Sequence, residues 1–404
     1  MRFLHTSDWH VGGVLKGASR HAEHAAVLSE IVSIAARERV DAVLIAGDLY
    51  ESGAPGAAAQ RLVVETLLSL RATGAEIVAI AGNHDHGPTF DAYRPLMAAA
   101  GIHLVGTPRR PRDGGVVAFD ARSTGEPVRV AALPFVSQHH ALRAADLVGA
   151  APVTHTAGYA GHVRALVEAL EGGFADGAVN LLTTHLTVAG AVLGGGERPA
   201  QSVTEYHVPA AILSTRADYV ALGHMHRAQT LRTQSGPGRG TASGVGGPVR
   251  YCGSPLAVDF GEQDAEPSVT VVDVAPGGSA RLRVVPLRSP RRLRTLRGSV
   301  AALRRLADGG AVDPDDALRV YVREPVRAGL REDVAAILPN AVEIRIDPAF
   351  APAVPRRRLA DAAPRAPLEL FREYCAGVGV ADDRLTALFA RLHDEVTSTD
   401  RSGG

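Results

Sequence analysis

The sequence predicts an α/β fold built in layers, with more than one compact unit. In the first half of the chain, short apolar runs alternate with segments whose apolar residues recur at helical spacing. A chain of 404 residues is long for one domain and favours two or three units. Hydrophobic residues make up 46% and charged residues 21%, which is ordinary for a globular protein and excludes a largely disordered chain.

The strands and helices of the first half follow one another in the order that a layered sheet requires. Strands are predicted at residues 2–5, 42–46, 77–81, 128–133, 181–184 and 219–222. One helix is predicted over 21–39, with Leu28, Ile31 and Ala35 on one face. Another is predicted over 57–72, because apolar residues recur at helical spacing until Gly74 stops it. We expect these helices to cover a sheet.

The second half predicts smaller elements. Residues 233–248 are rich in Gly, Ser and Pro and predict a loop, and residues 289–298 are interpreted as a linker. Strands and helices are predicted at 269–274, 281–285, 299–306, 318–322, 330–338, 342–346, 367–376 and 382–396. The resulting prediction is a domain over 1–290, a small α+β unit over 291–350 and a tethered helix pair over 351–404.

Composition limits the compartment and the class of partner. Cys252 and Cys375 are too few for a disulfide framework or a thiolate zinc site, which fits a reducing compartment. We see no leader peptide and no apolar run long enough to span a membrane, so we expect a cytoplasmic protein. The formal net charge of zero neither favours nor excludes a polyanionic partner, and local patches must decide.

Five apolar runs end in residues that can bind a metal ion. They read LHTSDWH, LIAGDLY, AIAGNHD, LLTTHLT and VALGHMH. Any one of these patterns alone is more often structural than functional, but five in one chain are a specific signal. Ligands gather beyond the carboxyl ends of strands in open α/β sheets, so we expect these residues to meet. The candidate metal ligands are Asp8, His10, Asp48, Asn83, His185, His224 and His226.

The residue types specify the chemistry. Imidazole, carboxylate and amide ligands without thiolate suit Mn²⁺ or Fe²⁺ better than a structural zinc ion. Seven ligands are too many for one ion that also holds water and substrate, so we predict two ions that share a carboxylate. Two divalent cations against two carboxylates leave the site positive. Such a pair clamps the attacking and leaving oxygens of an in-line displacement, which predicts hydrolysis of a phosphate ester.

Two neighbouring residues are the predicted catalytic pair. Because Asn83 can serve as the ligand, His84 is free to face the leaving oxygen as the general acid. Asp85 is predicted to orient the His84 ring and to favour its protonated form.

The five blocks resemble those of the calcineurin-like metallophosphoesterases. The strings HTSDWHVG, AALPFVSQ, GERP, GHMHRAQ and YCGSPLAVDFGE resemble the SbcD nuclease branch. This resemblance implies a ββ sandwich flanked by helices, with a small α+β capping domain that binds DNA and C-terminal helices that bind a partner ATPase. It also implies two Mn²⁺ ions, with Fe²⁺ or Mg²⁺ as alternatives. The implied activities are a double-strand 3′-to-5′ exonuclease and an endonuclease on single strands and hairpins.

The resemblance further implies the partners and the arrangement of ligands. The partners are DNA ends or hairpins and an SbcC-type coiled-coil ATPase, with the chain as a homodimer within a heterotetramer and no membrane. One ion would take Asp8, His10, Asp48 and His226, and the other Asp48, Asn83, His185 and His224. Relatives in the archaeal and eukaryotic branch place a histidine where this chain has Glu51, to which we assign no catalytic step.

Two other functions stay open at this point. The same ions could serve a hydrolase of nucleotides or phosphoproteins, and a catalytically dead DNA-end-binding subunit is a third class. The C-terminal appendage and the complete ligand set favour the nuclease. Arginine patches at 109–112, 291–297 and 356–358 either contact DNA phosphates or are solvated linkers, and the sequence leaves both interpretations open.

Overall fold

A computed structural model describes residues 1–137, 158–195, 207–213, 216–231, 246–350, 367–377 and 383–399. The chain divides into two compact units, Met1–Phe350 and Ala351–Gly404. The finer division of the first unit at residue 290 stays a prediction. Among the described helices, none combines the length and apolar character needed to cross a lipid bilayer.

Strands and helices alternate along the first unit. Its strands are β1 (Arg2–Thr6), β2 (Val14–Leu15), β3 (Ala18–Ser19), β4 (Ala42–Ile45), β5 (Glu76–Ile80), β6 (Ile102–Val105), β7 (Val116–Asp120), β8 (Pro127–Leu133), β9 (Val179–His185), β10 (Thr187–Val188), β11 (His207–Val208), β12 (Tyr219–Gly223), β13 (Gln229–Leu231), β14 (Val249–Tyr251), β15 (Ser268–Asp273), β16 (Arg281–Pro286), β17 (Leu293–Gly298), β18 (Ala317–Val322) and β19 (Ala341–Ile346). Its helices are α1 (His21–Glu38), α2 (Ala57–Ala72), α3 (Gly87–Ala99), α4 (Gly158–Glu171), α5 (Val300–Asp308) and α6 (Leu330–Ile337).

Two six-stranded sheets form the body of the first unit. One has the order β16-β15-β1-β4-β5-β6 and the other β13-β14-β12-β9-β8-β7. Strands β1, β4, β5 and β6 are parallel, as are β14, β12, β9 and β8. Since parallel strands end at the same edge of a sheet, each sheet presents several strand ends together.

The sheets pack face to face, and helices cover their outer faces. Phe3 and Leu44 of the first sheet share a buried cluster with Val130, Leu181 and Tyr219 of the second. The rings of Phe3 and Tyr219 meet edge to face at 5.3 Å. Because both faces of the central strands are covered, these strands read as continuous apolar runs rather than alternating ones. The predicted sandwich flanked by helices is confirmed.

Some elements differ from the expectation. Residues 289–298 are not a continuous linker, because they contain β17, which pairs in parallel with β18. Arg294 and Arg297 obscured the apolar pattern of this strand, in which Leu293 and Leu296 are buried. Helix α3 was not expected either, since Pro95 lies inside it. The predicted loop at 233–248 lies almost wholly outside the described residues.

A small body follows the sandwich within the same unit. Strands β17, β18 and β19 form a parallel sheet, and α5 and α6 connect them. Leu303 of α5 and Val334 of α6 are fully buried against Val320 on the middle strand. The strands and helices predicted for this segment are therefore present.

The second unit contains two helices in its described part, α7 (Pro367–Gly377) and α8 (Asp383–Thr399). Phe371 and Phe389 stack with ring centroids 4.2 Å apart, which holds the two helices together. Several large apolar side chains of the pair are exposed: Leu370, Tyr374, Leu385, Leu388 and Leu392.

Candidate metal centre

The loops that follow strands of both sheets meet at one end of the sandwich. Asp8 and Asp48 follow the parallel neighbours β1 and β4, and Asn83 follows β5. His185 ends β9 of the other sheet, and His224 follows β12, which pairs with β9. All but Asn83 of these residues are buried. The structure therefore brings together residues that are far apart in sequence.

Four of the predicted ligands have an unusual backbone conformation. Among the described residues other than glycine, positive φ angles occur at Asp8 (54°), His10 (48°), Asp48 (52°) and His224 (100°), and at two others. Such conformations cost of order 1–3 kcal/mol each and persist where the surroundings impose them, often at functional sites. The loops direct these side chains toward one point, and the backbone conformation that this requires is energetically unfavourable.

The glycines before the ligands allow the loops to approach each other closely. A Cβ atom on Gly82 would lie 2.2 Å from Asp48 Oδ1 and 2.4 Å from the Asp48 backbone nitrogen. A Cβ on Gly223 would lie 1.9 Å from the carbonyl oxygen of Ala46. These distances explain why the motifs contain glycine before Asn83 and before His224.

One group of ligand atoms consists of Asp8, His10 and His226, whose candidate atoms all lie within 4.8 Å of one another. The Nε2 atoms of His10 and His226 are 3.2 Å apart and face each other. The backbone N–H of His224 donates to Asp8 Oδ1 at 3.0 Å, which ties the loop after β12 to the loop after β1. Converging imidazole nitrogens beside a carboxylate are a donor set that fits a divalent cation.

A second group consists of Asp48, His185 and His224. Asn83 Oδ1 lies 2.8 Å from both His185 Nε2 and His224 Nδ1, so its amide oxygen belongs to the same group. The His185 ring is fixed from behind, because its Nδ1–H donates to the carbonyl oxygen of Ala46 at 2.7 Å. This set of nitrogen and oxygen donors also fits a divalent cation.

Asp48 lies between the two groups. Its Oδ2 is 3.8 Å from His10 Nε2 in the first group and 3.3 Å from His185 Nε2 in the second. Its Oδ1 accepts the backbone N–H of His84 at 2.8 Å. The Asp48 carboxylate thus lies close to histidine rings of both groups, as a bridging carboxylate requires.

The titratable groups of the centre are close enough to shift the pKa values of one another. Burial opposes ionisation of Asp48, but His185, and after it His10, lower the pKa of this carboxyl well below its usual range. Burial likewise opposes protonation of His185, yet Asp48 outweighs it and raises the pKa of this ring to about 9. Burial, aided by His185, lowers the pKa of His224 to about 3. A cation held by this group would compete with the proton of the His185 ring, because a ligating imidazole nitrogen must be deprotonated.

The predicted catalytic pair lies beside the first group. His84 contributes to a third cluster of possible ligand atoms, with His10 and Asp48, and its ring meets that of His10 edge to face at 4.7 Å. Its Nδ1–H donates to the carbonyl oxygen of Glu51 at 2.8 Å. The group shown at this nitrogen is therefore a backbone carbonyl of the neighbouring loop.

Asp85 has a clear structural position. Its carboxylate accepts the backbone N–H groups of Leu49, Tyr50 and Gly82 at 3.2, 3.0 and 2.9 Å. Burial, and after it Asp48, raise the pKa of this carboxyl. Asp85 therefore holds the loop after β4 against the loop after β5, while its predicted effect on the ring of His84 stays a prediction.

Two residues behind the ligands were given no metal-related role by sequence reasoning. Glu51 Oε2 lies 3.2 Å from His10 Nδ1, which is an ion-pair distance but not an aligned hydrogen bond. Glu262 is buried, and its Oε1 accepts the Nδ1–H of His226 at 2.6 Å. Glu262 lies in the string YCGSPLAVDFGE, so this motif was the available signal.

Several arginines of the patches at 109–112 and 291–297 make contacts within the chain. Arg109 lies 3.1 Å from Asp91, and Arg294 lies 2.9 Å from Asp316. Arg297 lies 3.4 Å from an Asp347 oxygen, with its guanidinium over the ring of Tyr321. These pairs favour a structural interpretation of both patches. The patch at 356–358 lies outside the described residues.

Comparison with known proteins gives the class of this centre. Residues 1–228 match the calcineurin-like phosphoesterase family. Since this match spans more than half of the chain, the chain belongs to that family, whose members act on phosphoester bonds.

Three bacterial relatives define the branch. The Bacillus subtilis protein named as the D subunit of the nuclease SbcCD is 37% identical over 290 residues, which are 72% of this chain and 70% of the relative. The proteins of the same name from Rhodobacter capsulatus and Escherichia coli K12 are 34% and 31% identical. They align over 72% and 75% of this chain and over 70% and 72% of their own lengths. Within the phosphoesterase family, the chain therefore belongs to the SbcD nuclease subunits.

We predict that Gly82→Ala disrupts the centre. Its new Cβ would overlap the side chain and backbone of Asp48, so the loops after β4 and β5 must separate. Titration with Mn²⁺ should show loss of tight binding. The matched control is Gly56→Ala at the start of α2, where a Cβ meets nothing within 4 Å. Wild-type metal affinity in Gly82→Ala would contradict the close packing of these loops.

Proposed function

We propose that the chain is a two-metal phosphodiesterase that cuts DNA as the nuclease subunit of an SbcCD-type complex. The observation that carries this proposal is the position of Asp48 between two groups of nitrogen and oxygen donors. We propose Mn²⁺ as the metal, with Fe²⁺ or Mg²⁺ as alternatives, since the donor set lacks thiolate.

The ligand atoms divide into two sets that share Asp48. Asp8, His10 and His226 would hold one ion with Asp48, and Asn83, His185 and His224 would hold the other. Once bound, the two ions would supply positive charge to the phosphate and activate water as the nucleophile. The residues of the chain fix the positions of both sets, because the loops of the two sheets are joined by hydrogen bonds.

His84 is the proposed general acid. The Glu51 carbonyl accepts its Nδ1–H, and in the protonated ring Nε2 would carry the proton that the leaving oxygen needs. Asp85 would act on this ring through the backbone, because its carboxylate fixes the loop before His84 and the residue before Glu51. The proposed roles are thus proton donor for His84 and positioning residue for Asp85.

The alternative is a phosphoesterase that acts on nucleotides or phosphoproteins. The relatives named as SbcCD subunits support DNA as the substrate of this chain. We propose 3′-to-5′ exonuclease activity on double strands and endonuclease activity on single strands and hairpins. The purified protein with Mn²⁺ should cut labelled hairpin DNA. Turnover of free nucleotides or a phosphopeptide without cleavage of any DNA would overturn the proposal.

The role of His84 is tested by substitution. His84→Ser should retain both metal ions and DNA binding while it loses the proton donor, which lowers the rate by about 10²–10⁴-fold. Mn²⁺ titration and single-turnover cleavage measure these effects separately. His86→Ser is the control, because His86 is exposed and its ring nitrogen faces Thr89. Loss of a metal ion in His84→Ser would make His84 a ligand, and an unchanged rate would remove it from the mechanism.

We further propose that the chain forms a homodimer within a heterotetramer with two ATPase subunits. Helices α2 and α3 line a cavity of about 480 Å³ with mostly apolar walls, including Val64, Leu67 and Met97. Leu96 is 67% exposed and Tyr93 is 46% exposed beside it. A contiguous exposed apolar surface of this kind supports contact with a second copy of the chain.

Substitution of Leu96 tests the dimer. Leu96→Asp should place a charge in the buried centre of the interface and give a monomer by light scattering, with the fold unchanged by circular dichroism. Val284→Asp on β16 is the control, because Val284 is also an exposed apolar residue but lies outside this surface. A dimer that persists in Leu96→Asp would exclude this surface as the interface.

The proposed site for an SbcC-type coiled-coil ATPase is the helix pair of the second unit. Helices α7 and α8 expose Leu370, Tyr374, Leu385 and Leu388 while they stack on each other through two phenylalanines. Short helices with exposed apolar side chains are stabilised by a partner surface, and an apolar face in a helical groove is a common mode of recognition.

Truncation tests this assignment. A protein that ends after Asp361 should retain Mn²⁺-dependent cleavage of single strands, because the first unit ends at Phe350. It should lose co-purification with the ATPase. The full chain with Leu388→Glu should show the same loss without any truncation. An unchanged affinity of both variants for the ATPase would refute the assignment.

A further inference from the structure

Glu262 is a buried carboxylate that neither metal set includes. It is 3% exposed and ends the short 3-10 turn Phe260–Glu262. Burial of a carboxylate is unfavourable unless hydrogen bonds compensate it. Both oxygens have such bonds: Oε1 accepts from His226 Nδ1 at 2.6 Å and Oε2 accepts from the backbone of Val258 at 2.7 Å. The carboxylate is thus held in one orientation behind a proposed metal ligand.

The hydrogen bond from His226 Nδ1 to Glu262 determines which ring nitrogen of His226 can bind an ion. A proton held on Nδ1 by Glu262 leaves the lone pair on Nε2, which faces His10 Nε2 and lies close to the Asp8 carboxylate. A carboxylate behind a ligating imidazole fixes the ring and raises its basicity. His185 in the other group has a neutral carbonyl in the same position. The two proposed ions would therefore have histidine ligands of different strength.

The turn that carries Glu262 is held by the sandwich on one side. Asp259 starts the turn by accepting the backbone N–H of Phe260, and Lys16 Nζ donates to Asp259 at 2.6 Å. A Cβ on Gly261 would lie 2.7 Å from the carbonyl oxygen of Gly195, so the turn is in close backbone contact with the loop after β10. The turn cannot shift toward this loop without a clash.

The small body of β17, β18 and β19 holds the turn on the other side. Arg319 on β18 lies 3.3 Å from Asp259, and its guanidinium lies 4.4 Å from the ring centroid of Phe260. Phe260 is buried in a cluster with Leu293 and Ala317, which belong to β17 and β18. Thr295 Oγ1 donates to Gln263 just after the turn. A displacement of the small body would therefore move the turn.

We propose that Glu262 is a positioning residue for His226, and that its turn makes the affinity for one metal ion depend on the small body. The chain of contacts runs from Arg319 through Asp259 and Phe260 to Glu262, and from Glu262 to the His226 ring. The inference rests on the proposed two-metal function and adds a regulatory role for the small body.

The first test replaces the carboxylate with an amide of the same shape. In Glu262→Gln, one acceptor oxygen faces two donors, His226 Nδ1–H and Val258 N–H, so one of the two bonds is lost. Mn²⁺ titration by calorimetry should show one ion weakened by about 10–100-fold and the other changed less. Excess Mn²⁺ should restore the cleavage rate. The control is Glu266→Gln, which removes the same charge from an exposed residue nearby.

Three outcomes would count against the inference. Two Mn²⁺ ions bound by Glu262→Gln with wild-type affinity would overturn it and leave the proposed function intact. If both Mn²⁺ ions bound more weakly by the same factor and the metal-free variant also melted at a lower temperature, Glu262 would be a structural residue only. A wild-type protein that binds no Mn²⁺ would overturn the proposed function as well.

The second test acts on the small body without touching the site. Arg319→Gln should raise the Mn²⁺ concentration for half-maximal cleavage in the same direction as Glu262→Gln, by a smaller factor. The matched control is Arg345→Gln, because Arg345 and Arg319 both pair with Glu343 but only Arg319 contacts the turn. Equal Mn²⁺ requirements of the two arginine variants would overturn the coupling.

Discussion

The carboxylate of Asp48 lies between loops that belong to different sheets, and the geometry of the centre depends on it. One oxygen faces His10 and His185, while the other accepts the backbone N–H of His84. A buried carboxylate at this position requires cationic neighbours, since the cost of desolvation is large without them. The nearby glycines keep the backbones close enough for these neighbours to reach it. This one group thus contacts rings of both donor groups and the backbone of the proposed acid.

The sequence predicted that the candidate ligands lie together, and it did so for a physical reason. Each of them follows a buried strand, and parallel strands in one sheet end at the same edge, so Asp8, Asp48 and Asn83 were expected to meet. The meeting of His185 and His224 with this group depends on how two sheets pack. The expectation that two sheets pack face to face came from the family resemblance, because apolar periodicity does not show which sheet packs on which.

Interactions that depend on tertiary contacts were not predictable from the pattern. Glu262 lies in the string YCGSPLAVDFGE, but nothing in that string indicates its partner, since His226 lies 36 residues earlier. The contact of His84 with the Glu51 carbonyl cannot be predicted from residue types, because every residue has a backbone carbonyl. Strand β17 was missed for a related reason, since its arginines pair with Asp316, which precedes β18, and with Asp347, which follows β19.

The hydrogen bond from the His185 ring to the Ala46 carbonyl joins the second sheet to the first. Each sheet alone carries only part of each ligand set, so neither can assemble the centre before the two have docked. A chain whose two sheets have not docked would thus lack both complete ligand sets. Metal ions held by ligands from both sheets would fasten the two layers together.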